Sequence, residues 1–155
     1  MTRSLPAAAG LMLLLRGFAA CSDVPEDTHP QQLVTQRQAI FKDFTRTLEP
    51  MGLAARERQP YQPGEFMTQA LALQRLSTQP WQFFTADGNY PPTRAKPAVW
   101  GQPAEFEQAR LAFIGHVDAL VAAAQTGTLA AVQPAVTRVQ DSCKACHDQF
   151  RNTAR

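Results

Sequence analysis

The sequence predicts an all-α protein, an antiparallel four-helix bundle in a single domain. Four stretches repeat apolar residues at spacings of three and four, the period of a helix with one buried face. Segments containing proline and glycine separate these stretches, and no convincing strand pattern accompanies them. A chain of 155 residues is long enough for one domain with its own core.

The N-terminal residues are typical of an export signal. A basic start at Arg3 precedes an apolar run that is too short to span a membrane, and small residues follow it. Residues 18–21 resemble the lipobox of bacterial lipoproteins, so we expect a lipoprotein-type signal peptide over residues 1–20 and a lipid on Cys21. Ordinary cleavage without lipidation is the alternative. Both place the protein in the periplasm, and the polar, acidic residues 21–30 predict a flexible tether.

The charge balance of the chain argues against nucleic acid as a partner. The whole chain has a formal net charge of +2, but Arg3 and Arg16 belong to the predicted signal peptide. Without them, 13 basic residues face 13 acidic ones. A neutral mature protein lacks the basic surface that nucleic-acid binding needs. Contact with a membrane is expected only through a lipid on Cys21.

The first two helices are predicted over residues 31–48 and 63–76. Pro50 and Gly52 are expected to end the first of them. A long connection with five prolines and both tryptophans then runs from residue 78 to residue 103, which is unusual in a compact domain unless it packs or serves function. The apolar face of the first helix consists of Leu33, Arg37, Phe41, Phe44 and Leu48.

The last two helices are predicted over residues 104–124 and 131–152. Gly127 separates them, and the stripe of the last helix includes two cysteines. Pro134 falls early in that helix, where proline is tolerated only in the first turn. We therefore expect the helix either to begin near residues 131–133 or to kink there.

The motif that carries chemistry is the C-x-x-C-H segment formed by Cys143, Cys146 and His147. Two such thiols form thioethers with the vinyl groups of haem, and the adjacent imidazole reaches the iron. A dithiol redox site would need a strand before the motif, and a zinc site would need further thiolates. The motif therefore predicts one covalent haem c, with His147 as an axial iron ligand.

The position of this motif in the last of four helices resembles the cytochrome c′ family, the class II cytochromes c. The segments 35–41, 76–84, 97–100 and 141–151 are similar to successive parts of the family pattern, over nearly the whole mature chain. The resemblance implies that residues 31–155 form a four-helix bundle with haem c attached to the C-terminal helix.

The resemblance also implies roles for two arginines. Arg37 would pair with a haem propionate, since a guanidinium suits a carboxylate and a solvated residue does not belong on an apolar stripe. Arg151, one turn after His147, would keep the iron site electropositive. The alternative for Arg151 is an ordinary cation that the dipole favours at a helix C-terminus.

Phe41 occupies the position that sets iron coordination in this family. Methionine there gives a six-coordinate, low-spin electron carrier of the c-556 kind, whereas an apolar residue leaves the iron five-coordinate. Phenylalanine has no lone pair and no hydrogen-bond donor, so the resemblance implies binding of NO and CO rather than dioxygen. The alternative is a low-spin electron carrier with an unrecognised sixth ligand such as Met67.

The expected partners are NO, CO and redox proteins. Cytochromes c′ commonly dimerise through their first two helices, so a homodimer is a further expectation. We do not expect an enzyme, because no polar acid–base pair is predicted near Phe41.

Overall fold

The computed structural model describes residues 25–153, so the predicted signal peptide and Cys21 lie outside the described residues. Four long helices form a bundle in which α1 packs on α2 and α5, and α4 also packs on both of those helices. A single helical turn, α3, precedes α4. The predicted four-helix bundle is confirmed. The helices are α1 Leu33–Ala55, α2 Pro63–Ser77, α3 Ala98–Gly101, α4 Pro103–Ala124 and α5 Leu129–Phe150.

The core lies between the apolar faces of the four long helices. Burial of these faces together stabilises helices that would be marginal alone. Within the described part of the chain, none of the helices is long and apolar enough to cross a membrane. The completely buried aliphatic side chains include Val34, Met51, Leu73, Val117, Leu120, Val132 and Val139.

Helix α1 is longer than predicted, and the prediction that Pro50 and Gly52 end it is wrong. Both residues lie inside the helix, which continues to Ala55. The extra turns bury Met51 completely and bury Ala55 in the core, and this burial outweighs the local cost of an interior proline. A side chain at residue 52 would begin 2.7 Å from Nε2 of Gln140, so glycine leaves room there for the Gln140 side chain of α5.

Helix α5 begins at Leu129, two residues before the predicted start, and places Pro134 in its second turn. Pro134 cannot donate a hydrogen bond to the carbonyl of Ala130. Both residues are exposed, so water can bind that carbonyl. This explains why the helix tolerates the proline there.

The N-terminal end of α1 is fixed by a carboxylate outside the helix. Part of the predicted tether, residues 21–30, lies outside the described residues, but its described end is anchored at Asp27. The backbone N–H of Thr35 donates to Oδ2 of Asp27 at 2.8 Å, and that of Val34 donates to the hydroxyl of Tyr90 at 3.3 Å. These contacts satisfy two N–H groups that have no partner within the helix. The chain is therefore held in place from Asp27 onward.

Acid is expected to release this anchor. Burial raises the pKa of Asp27, but hydrogen bonds from Thr35, Tyr90 and His29 offset this and hold the pKa below its usual value of 3.8. The contact therefore stabilises the folded chain above that value and is lost as the pH falls through the lowered pKa. An NMR titration of the Thr35 amide should show this transition, and Asp27→Asn should abolish it. A midpoint above the usual aspartate pKa would contradict the assignment.

Candidate functional site

One cavity of about 1340 Å³ lies between α1, α5 and the connection from α2 to α4. It is larger than the pockets of roughly 300–1,000 Å³ that hold most small ligands. Cys143, Cys146 and His147 line it from α5, and Arg37 and Phe41 line it from α1. Arg151, which follows α5, also lines it, so the structure brings together six of the predicted site residues.

The motif residues lie in the last two turns of α5. Cys143 and Cys146 are half-buried free thiols. Burial and the neighbouring Cys146 raise the pKa of Cys143 to about 11, and burial also raises the pKa of Cys146. Burial lowers the pKa of His147, and Arg151 and Arg94 lower it further, against the opposing effect of Asp148. A lowered pKa favours the neutral imidazole, which is the form that binds a metal.

Aromatic rings form the apolar part of the cavity wall. The Phe41 ring meets the rings of Phe44 and Trp81 edge to face, at centroid distances of 5.3 and 6.0 Å. The indole N–H of Trp81 donates to the carbonyl of Ser77 at 2.6 Å, so it is already engaged. Neither Phe41 nor Trp81 therefore offers a free hydrogen-bond donor. The aromatic residues of the wall are Phe41, Phe44, Trp81, Phe84, Tyr90, Phe106, Phe113 and Phe150.

Arg37 is almost completely buried, with 3% of its surface exposed. Its guanidinium donates to the carbonyls of Phe83 at 2.6 Å and Gly88 at 2.9 Å and to the Thr93 hydroxyl at 2.6 Å. It also lies 4.5 Å from the centre of the Phe84 ring. Arg37 thus holds the connecting segment against α1, a role that the sequence analysis missed.

A buried cation normally has an anionic partner. Within residues 25–153, no carboxylate forms an ion pair with Arg37. Three of its N–H groups are used by the protein, and a guanidinium carries five. Two N–H groups of the guanidinium therefore remain for a haem propionate. The contact between Arg37 and a propionate stays a prediction.

A methyl group at Gly88 is expected to disturb this arrangement. A Cβ there would lie 2.9 Å from the carbonyl oxygen of Phe83 and 3.0 Å from Nη1 of Arg37. Gly88→Ala should therefore lower the free energy of unfolding by about 1–3 kcal/mol, measured by denaturant titration. Gly101→Ala in the same connection is the matched control, because nothing lies within 4 Å of its Cβ position. Equal losses in the two variants would contradict this interpretation.

The end of α5 is tied to residues 94–96 of the connection. Lys96 donates its backbone N–H to the carbonyl of Phe150, and Asn152 donates to that of Arg94, both at 2.8 Å. Arg151 follows the helix in extended conformation, and its backbone N–H donates to the carbonyl of His147 at 3.0 Å. Arg94 and Arg151 both line the cavity and are near enough to His147 to lower its pKa. The predicted electropositive side of the site thus includes a second arginine.

The other methionines and histidines of the described chain, which are residue types that can bind haem iron, lie elsewhere. Met67 packs against the core, and Met51 is completely buried in it. His29 lies near Asp87, and His116 borders a separate surface groove between α4 and α5. Of the described residues that line the cavity, His147 is the one with an imidazole, and none is a methionine.

The residues of the cavity fit a covalently attached haem. Two thiols and an imidazole share one wall, rings cover the opposite side, and a buried arginine without a carboxylate partner lies at one edge. These are the donors that haem c attachment, one axial ligand and a propionate require. Within the described residues, no three side chains of His, Cys, Asp or Glu are placed so that together they could hold a metal ion.

Comparison with known proteins gives one consistent result. Residues 32–151 match the family model described as Cytochrome C′. The chain is 31% identical over 125 residues to cytochrome c′ of Alcaligenes xylosoxydans xylosoxydans, covering 79% of this chain and 94% of that protein. It is 26% identical over 146 residues to cytochrome c′ of Rhodospirillum rubrum, covering 90% and 97% respectively.

Solved structures agree with the sequence comparisons. A nitric oxide complex of a variant of cytochrome c prime from Alcaligenes xylosoxidans superposes with a TM-score of 0.76 at 30% identity. A carbon monoxide complex of another variant of that protein gives 0.77 at 30% identity. Each comparison covers 83% of this chain and the full length of the other chain.

Proposed function

This chain belongs to the cytochrome c′ family and carries one covalently attached haem c, and from that premise we propose that it binds NO and CO at an open sixth position of a five-coordinate iron. The observation that carries this proposal is the environment of Phe41. Phe41 lines the cavity from α1, while His147, the axial ligand, lines it from α5. The rings that Phe41 meets, those of Phe44, Trp81 and Phe84, carry no atom that binds iron.

The polarity of this face supports selection among gas ligands. Bound dioxygen accumulates negative charge and is stabilised by a hydrogen-bond donor, whereas NO and CO need one less. Phe41 meets Phe44, Trp81 and Phe84 at centroid distances of 5.3, 6.0 and 6.3 Å, and the Trp81 N–H is engaged with Ser77. The aromatic surroundings of Phe41 are therefore apolar, and they favour NO and CO over dioxygen. The related structures with bound NO and CO support the same assignment.

The residues around the haem have separate tasks in this proposal. Cys143 and Cys146 fix the haem on α5, and His147 supplies the proximal bond. The iron supplies gas binding and one-electron chemistry when the haem is attached. Arg37 holds a propionate, and Arg151 with Arg94 keeps the proximal side electropositive. The rings that Phe41 meets are not acid–base groups, so we assign ligand binding and electron transfer with redox partner proteins rather than catalysis.

A low-spin electron carrier is the competing function. It requires a sixth side-chain ligand, and Met67, the strongest candidate in the sequence, packs against the core and does not line the cavity. Titration of the ferrous protein with NO, CO and dioxygen separates the two functions. We expect NO and CO to change the absorption spectrum and dioxygen to give no stable complex. Indifference to both NO and CO would overturn the proposal.

We also propose that the mature protein faces the periplasm and carries a lipid on Cys21, with a homodimer as its assembly. The export-like N-terminus supports this location, and Cys21 is left over for a lipid once Cys143 and Cys146 are assigned to haem. Mass spectrometry of the N-terminal peptide from membrane and soluble fractions tests it. A diacylglyceryl mass on Cys21 is expected, and an unmodified peptide that begins elsewhere would contradict it.

A further inference from the structure

The Thr93 hydroxyl makes two hydrogen bonds, one with α1 and one within the connection that leads to the end of α5. Its hydroxyl oxygen accepts from Nη2 of Arg37 on α1 at 2.6 Å. The same oxygen accepts from the backbone N–H of Ala95 at 3.1 Å. One hydroxyl therefore fixes both the guanidinium and the course of the chain two residues later.

The chain after Thr93 forms a clamp on the end of the haem helix; we define the clamp as residues 94–96. Ala95 pairs with Arg151 as an isolated antiparallel bridge, flanked by two backbone hydrogen bonds of 2.8 Å each. Nζ of Lys96 also donates to the carbonyl of Asp148 at 2.7 Å. These contacts reach the last turn of α5 and the residues that follow it.

Without such contacts, the last turn of a helix frays, because its carbonyl groups lack partners within the helix. In this chain the last turn carries the haem ligand. The backbone N–H of Arg151 donates to the carbonyl of His147 at 3.0 Å, so the bridge at Ala95 fixes the helix end next to the imidazole.

We propose that Thr93 is a positioning residue for His147, acting through Arg37 and the clamp to fix the direction of the iron–histidine bond. Thr93 lines the cavity wall but supplies no ligand to the iron. Its role is to connect α1, which carries Phe41, to the end of α5, which carries His147. Any consequence of this role for gas binding rests on the proposed function. The effect of Thr93 on the iron–histidine bond does not depend on it.

Resonance Raman spectroscopy of the ferrous holoprotein tests the proposal through the iron–histidine stretching band. Thr93→Val removes the hydroxyl and keeps the shape, so the band should broaden and shift. Thr93→Ser keeps the hydroxyl, so its iron–histidine band should match that of the unaltered protein. Thr137→Val is the matched control, because it removes a hydroxyl from the same haem helix, where Thr137 donates to the carbonyl of Gln133 at 3.1 Å. This control should leave the band unchanged.

Hydrogen exchange separates a positioning role from a merely structural one. In Thr93→Val we expect about tenfold faster exchange at the amides of Lys96 and Asn152, since the clamp loses its support. Faster exchange with an unchanged iron–histidine band would overturn the proposal, because the clamp would then stabilise the loop without orienting His147. An unchanged exchange rate would overturn it as well.

A second variant covers the case in which Thr93→Val fails to fold. Lys96→Met removes the contact to the Asp148 carbonyl at the surface, and it should shift the band in the same direction by less. An unshifted band in this variant would contradict the proposal. Binding of CO by the unaltered protein tests the proposed function separately. If the unaltered protein does not bind CO, the proposed function is refuted, and the Raman band still decides the role of Thr93.

Discussion

A variant with alanine at both Cys143 and Cys146 is expected to purify without covalently bound haem. The two thiols are the groups that form the thioether bonds, and both line the cavity beside His147. Mass spectrometry under denaturing conditions should show the mass of haem on the unaltered chain and its absence from the variant.

The same change is expected to destabilise the fold. The cavity of about 1340 Å³ is lined by eight aromatic side chains whose apolar surface the haem would cover. Thermal unfolding should therefore occur at a clearly lower temperature in the double variant. Ser142→Ala is the control, since Ser142 lines the same cavity and its hydroxyl donates to the carbonyl of Val139 at 2.7 Å. Haem that stays attached to the double variant after denaturation would refute the assignment.

Phe41→Met is expected to convert the iron from five-coordinate to six-coordinate. A thioether can bind haem iron opposite a histidine, and methionine is flexible enough to fill the space of a phenyl ring. The ferrous spectrum should become low-spin, and its response to CO should fall sharply, because CO must then displace a ligand.

Phe41→Leu is the matched control for that change. Leucine opens space in the aromatic wall but has no lone pair, so the iron should stay five-coordinate and bind CO. Persistence of a high-spin spectrum in Phe41→Met would show that α1 does not place residue 41 over the iron. Phe41 would then be a core residue of the aromatic wall and nothing more.

The helix bundle could be predicted from the sequence because each helix has a local periodicity of apolar residues. The stripe that includes Leu33, Phe44 and Leu48 has the spacing of one helix face, and the structure puts these residues in or against the core. The end of α1 could not be predicted in this way. Pro50 is a helix breaker by its local properties, and only the burial of Met51 and Ala55 against other helices explains why the helix continues.

The chemical part of the site was predictable for a similar reason. Cys143, Cys146 and His147 are adjacent in sequence, and their chemistry follows from residue type and spacing. Thr93 and Arg94 gave no comparable signal. Both lie in a proline-rich connection without periodicity, and their partners Arg37 and Asn152 are more than 50 residues away in the sequence.

Arg37 was partly predictable from the sequence and partly not. Its place on an apolar stripe indicated a buried guanidinium, and its surface is indeed only 3% exposed. Its partners Phe83 and Gly88 offer backbone carbonyls, which no residue type reveals. The structure was needed to find that this arginine also organises the connecting segment.

The absorption spectrum of the ferrous protein, recorded with and without CO, shows whether the iron has an open sixth position. The apolar wall at Phe41 predicts a high-spin, five-coordinate spectrum that changes on addition of CO. A low-spin spectrum that CO leaves unchanged would contradict this account, because it would require a sixth ligand from the protein.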